Sequence, residues 1–168
     1  MFKKGDRVVY PKHGVGLVVD IEDKQIAGTS QQFYQIEFIT NGEAKNKDMR
    51  AMVPVAQAES VGLRRVVDKK TVDQVFTILK ERRAKVGTQT WNRRYREYSQ
   101  KINTGSVFEI AEVIRDLSVL SINKELSFGE KQMLESAKTL LASEIAVSRS
   151  RPHEKVMGEI SNIFHTAV

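Results

Sequence analysis

Near Val67 the apolar period of the chain switches from two to about 3.6, so no single layer of secondary structure can serve both halves. Upstream, Asp6–Tyr10 (DRVVY), Val15–Glu22 (VGLVVDIE), Gln32–Ile39 (QFYQIEFI) and Met49–Val55 (MRAMVPV) are short and rich in Val, Ile, Phe and Tyr. Gly14, Ala27-Gly28 and Asn41-Gly42 separate them, and Asn-Gly favours the positive φ angles of a tight hairpin. Several short strands without helical periodicity predict a small Tudor- or SH3-like β-barrel over residues 1–66. Gly14 and Gly16 flank Val15 at a strand start, which predicts a bulge or sharp corner there.

Downstream, Thr71–Gln74, Ser106–Glu109 and Ser127–Glu130 each fit the capping box that opens a helix. Apolar residues then recur at helical spacing, as in Val72, Val75, Phe76 and Leu79, or Met133, Leu134, Ala137 and Leu141. A further helix begins near Thr90, and a last one follows Pro152. The expected fold class is α+β in two domains, with an all-α module of about five helices over residues 67–168.

Charge narrows the function. The chain carries 27 Lys and Arg against 21 Asp and Glu, a net +6. Lys80–Lys101 alone holds eight basic residues (Lys80, Arg82, Arg83, Lys85, Arg93, Arg94, Arg96, Lys101) and two acidic ones, so it contains the whole excess. Such concentration fits a phosphate-binding stripe, although charge alone fits a solvated helix face equally well. The absence of cysteine excludes disulfides, thiol catalysis and cysteine metal sites. With no long apolar run and no signal-peptide pattern, the expected address is cytoplasmic, without membrane association.

Catalysis finds little support. His13, His153 and His165 match no paired metal spacing, Gly14-x-Gly16 runs straight into a strand, and no serine lies in a GxSxG elbow. The reading is a non-enzyme with no cofactor. Thr88–Lys101 (TQTWNRRYREYSQK) is the informative segment, with the chain's one Trp among three arginines and two tyrosines. Trp91, Tyr95, Tyr98 and Ile102 share one helical face, which fits core packing. A Trp in a first helical turn can equally stay exposed and wedge against bases while nearby arginines hold phosphates. Spacing leaves both open.

The pattern Phe2-Lys-Lys-Gly-Asp6…Val8-Val-Tyr-Pro11-x-His-Gly14-Val-Gly16 resembles the CarD family of bacterial transcription regulators, including its CdnL type. So do Val53-Pro54, Ser60-Val-Gly-Leu-Arg64, Trp91-Asn-Arg-Arg-Tyr95, Ala111–Leu117 and Leu126–Lys131, in the family's order over nearly the whole chain. The resemblance implies an RNA polymerase-interacting Tudor-like domain (1–66), shared with the transcription-repair coupling factor, and a helical DNA-binding domain (67–168). The first would dock an edge strand on the polymerase β subunit, with Lys24, Ile36, Met52 and Pro54 at the contact positions. Some relatives hold arginine where this chain has Met52, and the segment Asn41–Arg50 is longer here than in close relatives.

The resemblance further implies that the second domain touches promoter DNA just upstream of the −10 element. There Trp91 would act as a minor-groove wedge, and Arg93, Arg94, Arg96 and Lys131 would lie near the DNA, while Tyr95, Tyr98 and Ile102 stay in the core. The implied role is a monomeric factor that stabilises the promoter open complex. Read from residues alone, two other classes compete: a KOW-like RNA- or ribosome-binding protein, and a methyl-lysine reader caged by Tyr10, Phe33, Tyr34 and Phe38.

Overall fold

The computed structural model describes residues 1–40, 43–44, 50–81 and 91–165. A small β domain precedes five helices. Its strands are β1 (Arg7–Tyr10), β2 (Gly14–Ile26), β3 (Thr29–Thr40), β4 (Glu43–Ala44), β5 (Arg50–Pro54) and β6 (Arg64–Arg65). All their ladders are antiparallel. β3 pairs with β2 on one side and with β5 and β4 on the other, while β6 returns to β1. A 3-10 turn at Val55–Gln57 carries the chain from β5 at one edge toward β6 at the other, the strand order of an SH3-like barrel.

Ala27 and Gly28, both at positive φ (54° and 80°), form the two-residue turn between β2 and β3. That geometry matches the right-handed twist of the flanking strands. The expected irregularity lies further along than Gly14 and Gly16: the register shifts between Val18 and Asp20, which leaves Val19 as the extra residue of a bulge. Gly16 serves a different need, because a Cβ there would collide with Ile36. The segment Asn41–Arg50 lies largely outside the described residues. Phe33 and Tyr34 are buried, and the Tyr34 hydroxyl accepts a hydrogen bond from the backbone of Phe2 at 3.1 Å. Those two rings therefore cannot line an aromatic cage.

The helices are α1 (Lys69–Lys80), α2 (Trp91–Asn103), α3 (Val107–Asn123), α4 (Phe128–Arg149) and α5 (His153–His165). Ser127 and Glu130 form the complete capping box at α4. The box expected at Thr71 is displaced: Asp68 caps α1, and its carboxylate accepts from both the backbone N–H and the hydroxyl of Thr71. An acidic cap three residues upstream thus starts the helix earlier, so Thr71 is already helical and its own N–H and hydroxyl are the donors taken. Ser106 occupies the cap position of α3 without a side-chain cap bond; instead Thr104 bonds Glu109. Val75, Leu79, Ile114, Leu117, Leu141 and Ile160 centre the helical core, apart from the β core of Val8, Val18, Tyr34, Ile36 and Val53.

The two cores are joined by polar bonds of good geometry. Arg64 on β6 donates to both carboxylate oxygens of Glu144 on α4, at 2.7 and 2.8 Å, and to the Gly105 carbonyl at 2.7 Å. Glu144 also accepts from the Val67 backbone at 3.0 Å, and the Ser148 hydroxyl donates to the Val67 carbonyl at 2.6 Å. Beside this pair, Pro11 lies between Gly62 and Gly105, where a Cβ would come within 2.9 and 3.1 Å of its ring. Glu144 keeps only 4% side-chain exposure. Arg64→Ala would strand a buried carboxylate, at a cost of about 3–5 kcal/mol. Calorimetry should show a lower first transition in that variant, with the β domain melting separately from the helices.

Candidate functional site

Two surfaces carry the residues singled out by sequence. On the β domain, Met52 lies on β5 opposite Gln35 of β3. It is 40% exposed, so its thioether is open to a partner. The Lys24 ammonium sits 3.5 Å from the Met52 sulfur, so β2 and β5 present these two side chains together. Pro54, opposite Phe33, ends the strand half-exposed. Arg50 pairs with Glu37 at 3.7 Å and donates to the Gln35 side chain at 3.3 Å. Among the described residues β5 has a ladder only on its β3 side, so its other edge is open.

Ile36 departs from the expectation. Its side chain has no exposure and packs in the β core, so it supports this surface from beneath and offers nothing to a partner. Strand alternation is the cause: Gln35 and Ile36 point to opposite faces of β3.

The second surface lies where α2 begins against the start of α4. Trp91 is the first residue of α2 and is half-buried. Its ring meets Tyr95 edge-on, with centroids 5.4 Å apart. A Cβ at Gly129 would stand 3.2 Å from its Cζ2, so glycine there is what lets the indole lie across the first turn of α4. Tyr98 and Ile102 pack with the helical core as expected. Tyr95 does not: it is 48% exposed and flanks Trp91 at the surface. At 100° per residue Tyr95 lies about 60° round the helix from buried Tyr98, at the edge of the buried stripe.

The four cations separate by environment. Arg94 is withdrawn from solvent, its side chain 12% exposed and 3.7 Å from the buried Glu130 carboxylate. It ties α2 to α4 and is not presented to a ligand, which corrects its expected place beside DNA. Arg93 is 71% exposed and reaches Glu97 only at 3.8 Å, and Lys131 stands loosely 3.6 Å from Glu125. Ion pairs so exposed hold the side chains weakly. Arg96 is exposed. Arg82, Arg83 and Lys85 lie outside the described residues.

Phe128, which sequence reasoning passed over, is 76% exposed beside Gly129. The signal was available: Ser127 as cap makes Phe128 the first helical residue, ahead of the face that buries Met133 and Leu134. Below this surface, burial pushes the Tyr98 hydroxyl up to about 12, with Asp116 reinforcing it, and burial also holds the Asp116 carboxyl above its ordinary range. Among the described residues no group of His, Asp and Glu could hold a metal, and no helix is long and apolar enough to cross a membrane.

Sequence comparison agrees with this two-part layout. Residues 2–67 match the family described as CarD-like/TRCF RID domain, and residues 74–161 match CarD, C-terminal domain. The chain is also 32% identical over 156 residues to a Bacillus subtilis (strain 168) protein named "Putative transcription factor YdeB", covering 93% of this chain and 97% of that one.

The contrast among the arginines can be measured. Arg94→Ala leaves Glu130 buried without its cation and should cost roughly 3 kcal/mol, lowering Tm by about 10 °C or more. Arg96→Ala should stay within about 0.5 kcal/mol of the parent. Asp116 offers a pH test. A folded-state value raised above the unfolded one stabilises fully below the unfolded pKa, about 3.9 for Asp, and the benefit is lost as pH rises through the folded value. Asp116→Asn removes that loss, so chemical denaturation should show its stability relative to the parent improving between pH 4 and pH 7.

Proposed function

The chain belongs to the CarD family of transcription factors, which are not enzymes, and from that premise we propose that this transcription regulator stabilises the promoter open complex. Residues 1–66 bind the RNA polymerase β subunit through the open edge of β5, with Met52 and Pro54 as apolar anchors and Lys24 beside them. Residues 67–168 engage promoter DNA just upstream of the −10 element. Trp91 wedges into the minor groove at the edge of the bubble while Arg93, Arg96 and Lys131 contact phosphates. The factor works in the bacterial cytoplasm as a monomer.

The observation that carries this reading is Trp91 itself, a half-exposed indole at a helix start beside cations held by only weak ion pairs. An aromatic wedge lowers the cost of a distorted base step, and phosphate contacts add affinity without sequence information. Few contacts make the DNA affinity weak. Attachment to polymerase converts that weak contact into an intramolecular one, raising its effective concentration. Such a mechanism requires no base code.

Lifetime of a defined promoter open complex, with and without the protein, tests the proposal: it should lengthen with the protein present. Met52→Ala combined with Pro54→Ala should weaken β-subunit binding while leaving the helical domain folded; unchanged affinity would reject the edge-strand assignment. Replacing Arg93, Arg96 and Lys131 together by Ala should reduce the slope of log affinity against log salt by roughly 3 × 0.9 on any duplex. A loss confined to one sequence would indicate base readout instead.

A further inference from the structure

A cleft of about 390 Å³ opens where the β domain meets the α4–α5 corner, away from both surfaces described above. Its size falls in the range of small-molecule sites. Arg7 of β1 enters it from one domain, and Arg151 and His153 enter from the other. Ser143 and Ser150 add hydroxyls, while Val15 and Val147 supply apolar wall. Among the described residues no carboxylate lines it.

Three features give the cleft a sign. Arg7 is exposed and makes no ion pair among the described residues. Arg151 is held from one side by Glu159, which fixes the guanidinium but leaves donors of its fork uncommitted. The Nε2 of His153 is buried with no hydrogen-bond partner among the described residues. The lining also includes Pro152, whose carbonyl accepts the N–H groups of Lys155 and Val156, so α5 begins at this wall. The N–H groups of a first helical turn lack partners within the helix and favour an anion. With Arg151 already paired to Glu159, Arg7 leaves the lining one positive charge without a counter-charge among the described residues, which favours an anion.

We propose that this cleft binds a small organic phosphate, the phosphate held by Arg7, Arg151 and the first turn of α5, and its apolar body against Val15 and Val147. Because Arg7 belongs to one domain and Arg151 and His153 to the other, the ligand bridges them and reinforces their docking. The site is independent of the polymerase and DNA surfaces.

The test is titration of the full chain with adenosine monophosphate, inorganic phosphate and adenosine at constant ionic strength, followed by backbone amide shifts. Adenosine monophosphate should bind saturably and move the amides of His153 and Glu154, inorganic phosphate should bind more weakly, and adenosine should not bind. Arg7→Gln should weaken binding about tenfold or more, Arg7→Lys should restore part of it, and Lys69→Gln, at an exposed cation outside the cleft, should change nothing. Absence of saturable binding by both phosphates would overturn the site. So would affinity that survives Arg7→Gln or falls with Lys69→Gln, since either would mark general attraction to a basic surface.

Discussion

Arg64 and Glu144 meet in a two-pronged ion pair with Glu144 almost wholly withdrawn from water, and the relation between the two domains depends on it. Neither core is large. A domain of about 60 residues buries a modest fraction of its surface and is marginal alone, so docking contributes to the stability of both parts. An apolar patch could supply stability without specifying orientation. A planar guanidinium bonded to both carboxylate oxygens and to the Gly105 carbonyl fixes distance and angle together. Pro11, wedged between Gly62 and Gly105, resists sliding from the other side.

The proposed function depends on that rigidity. A protein that grips polymerase through one domain and DNA through the other transmits position only if the separation is fixed. The same economy recurs at the aromatic surface. Glu130 completes the cap of α4 through one carboxylate oxygen and faces Arg94 of α2 with the other. Gly129, the residue before it, leaves room for the indole of Trp91. One helical turn therefore starts a helix, anchors its neighbour and seats the half-buried ring.

Much of this was legible in sequence because the relevant signals are local. The period change located the boundary between strands and helices, and Ser127–Glu130 formed the box its spacing required. Ala27-Gly28 separated two strands whose register then closed on a two-residue turn. The failures were tertiary. Asp68 caps α1 in place of Thr71, starting the helix three residues earlier and taking Thr71's own N–H and hydroxyl as its donors. The family resemblance places Ile36 at the contact, and alternation along β3 turns its side chain inward. Arg94 looked like its neighbours Arg93 and Arg96, yet the 100° steps of the helix set it against Glu130. Tyr95 fits the apolar stripe by spacing yet sits at its edge, about 60° round the helix from buried Tyr98. Phe128 drew no notice because an isolated exposed aromatic has no periodicity.

The role of Trp91 is the claim on which the mechanism rests, and one substitution read by two assays tests it most directly. If the ring acts on DNA, Trp91→Ala shortens open-complex lifetime several-fold while Tm falls only a few degrees and β-subunit affinity holds. If the ring serves mainly the fold, truncation costs about 3–5 kcal/mol, and Tm falls by well over 10 °C at roughly 4–8 °C per kcal/mol. A large drop in Tm, or an unchanged open-complex lifetime in a well-folded variant, would contradict the wedge.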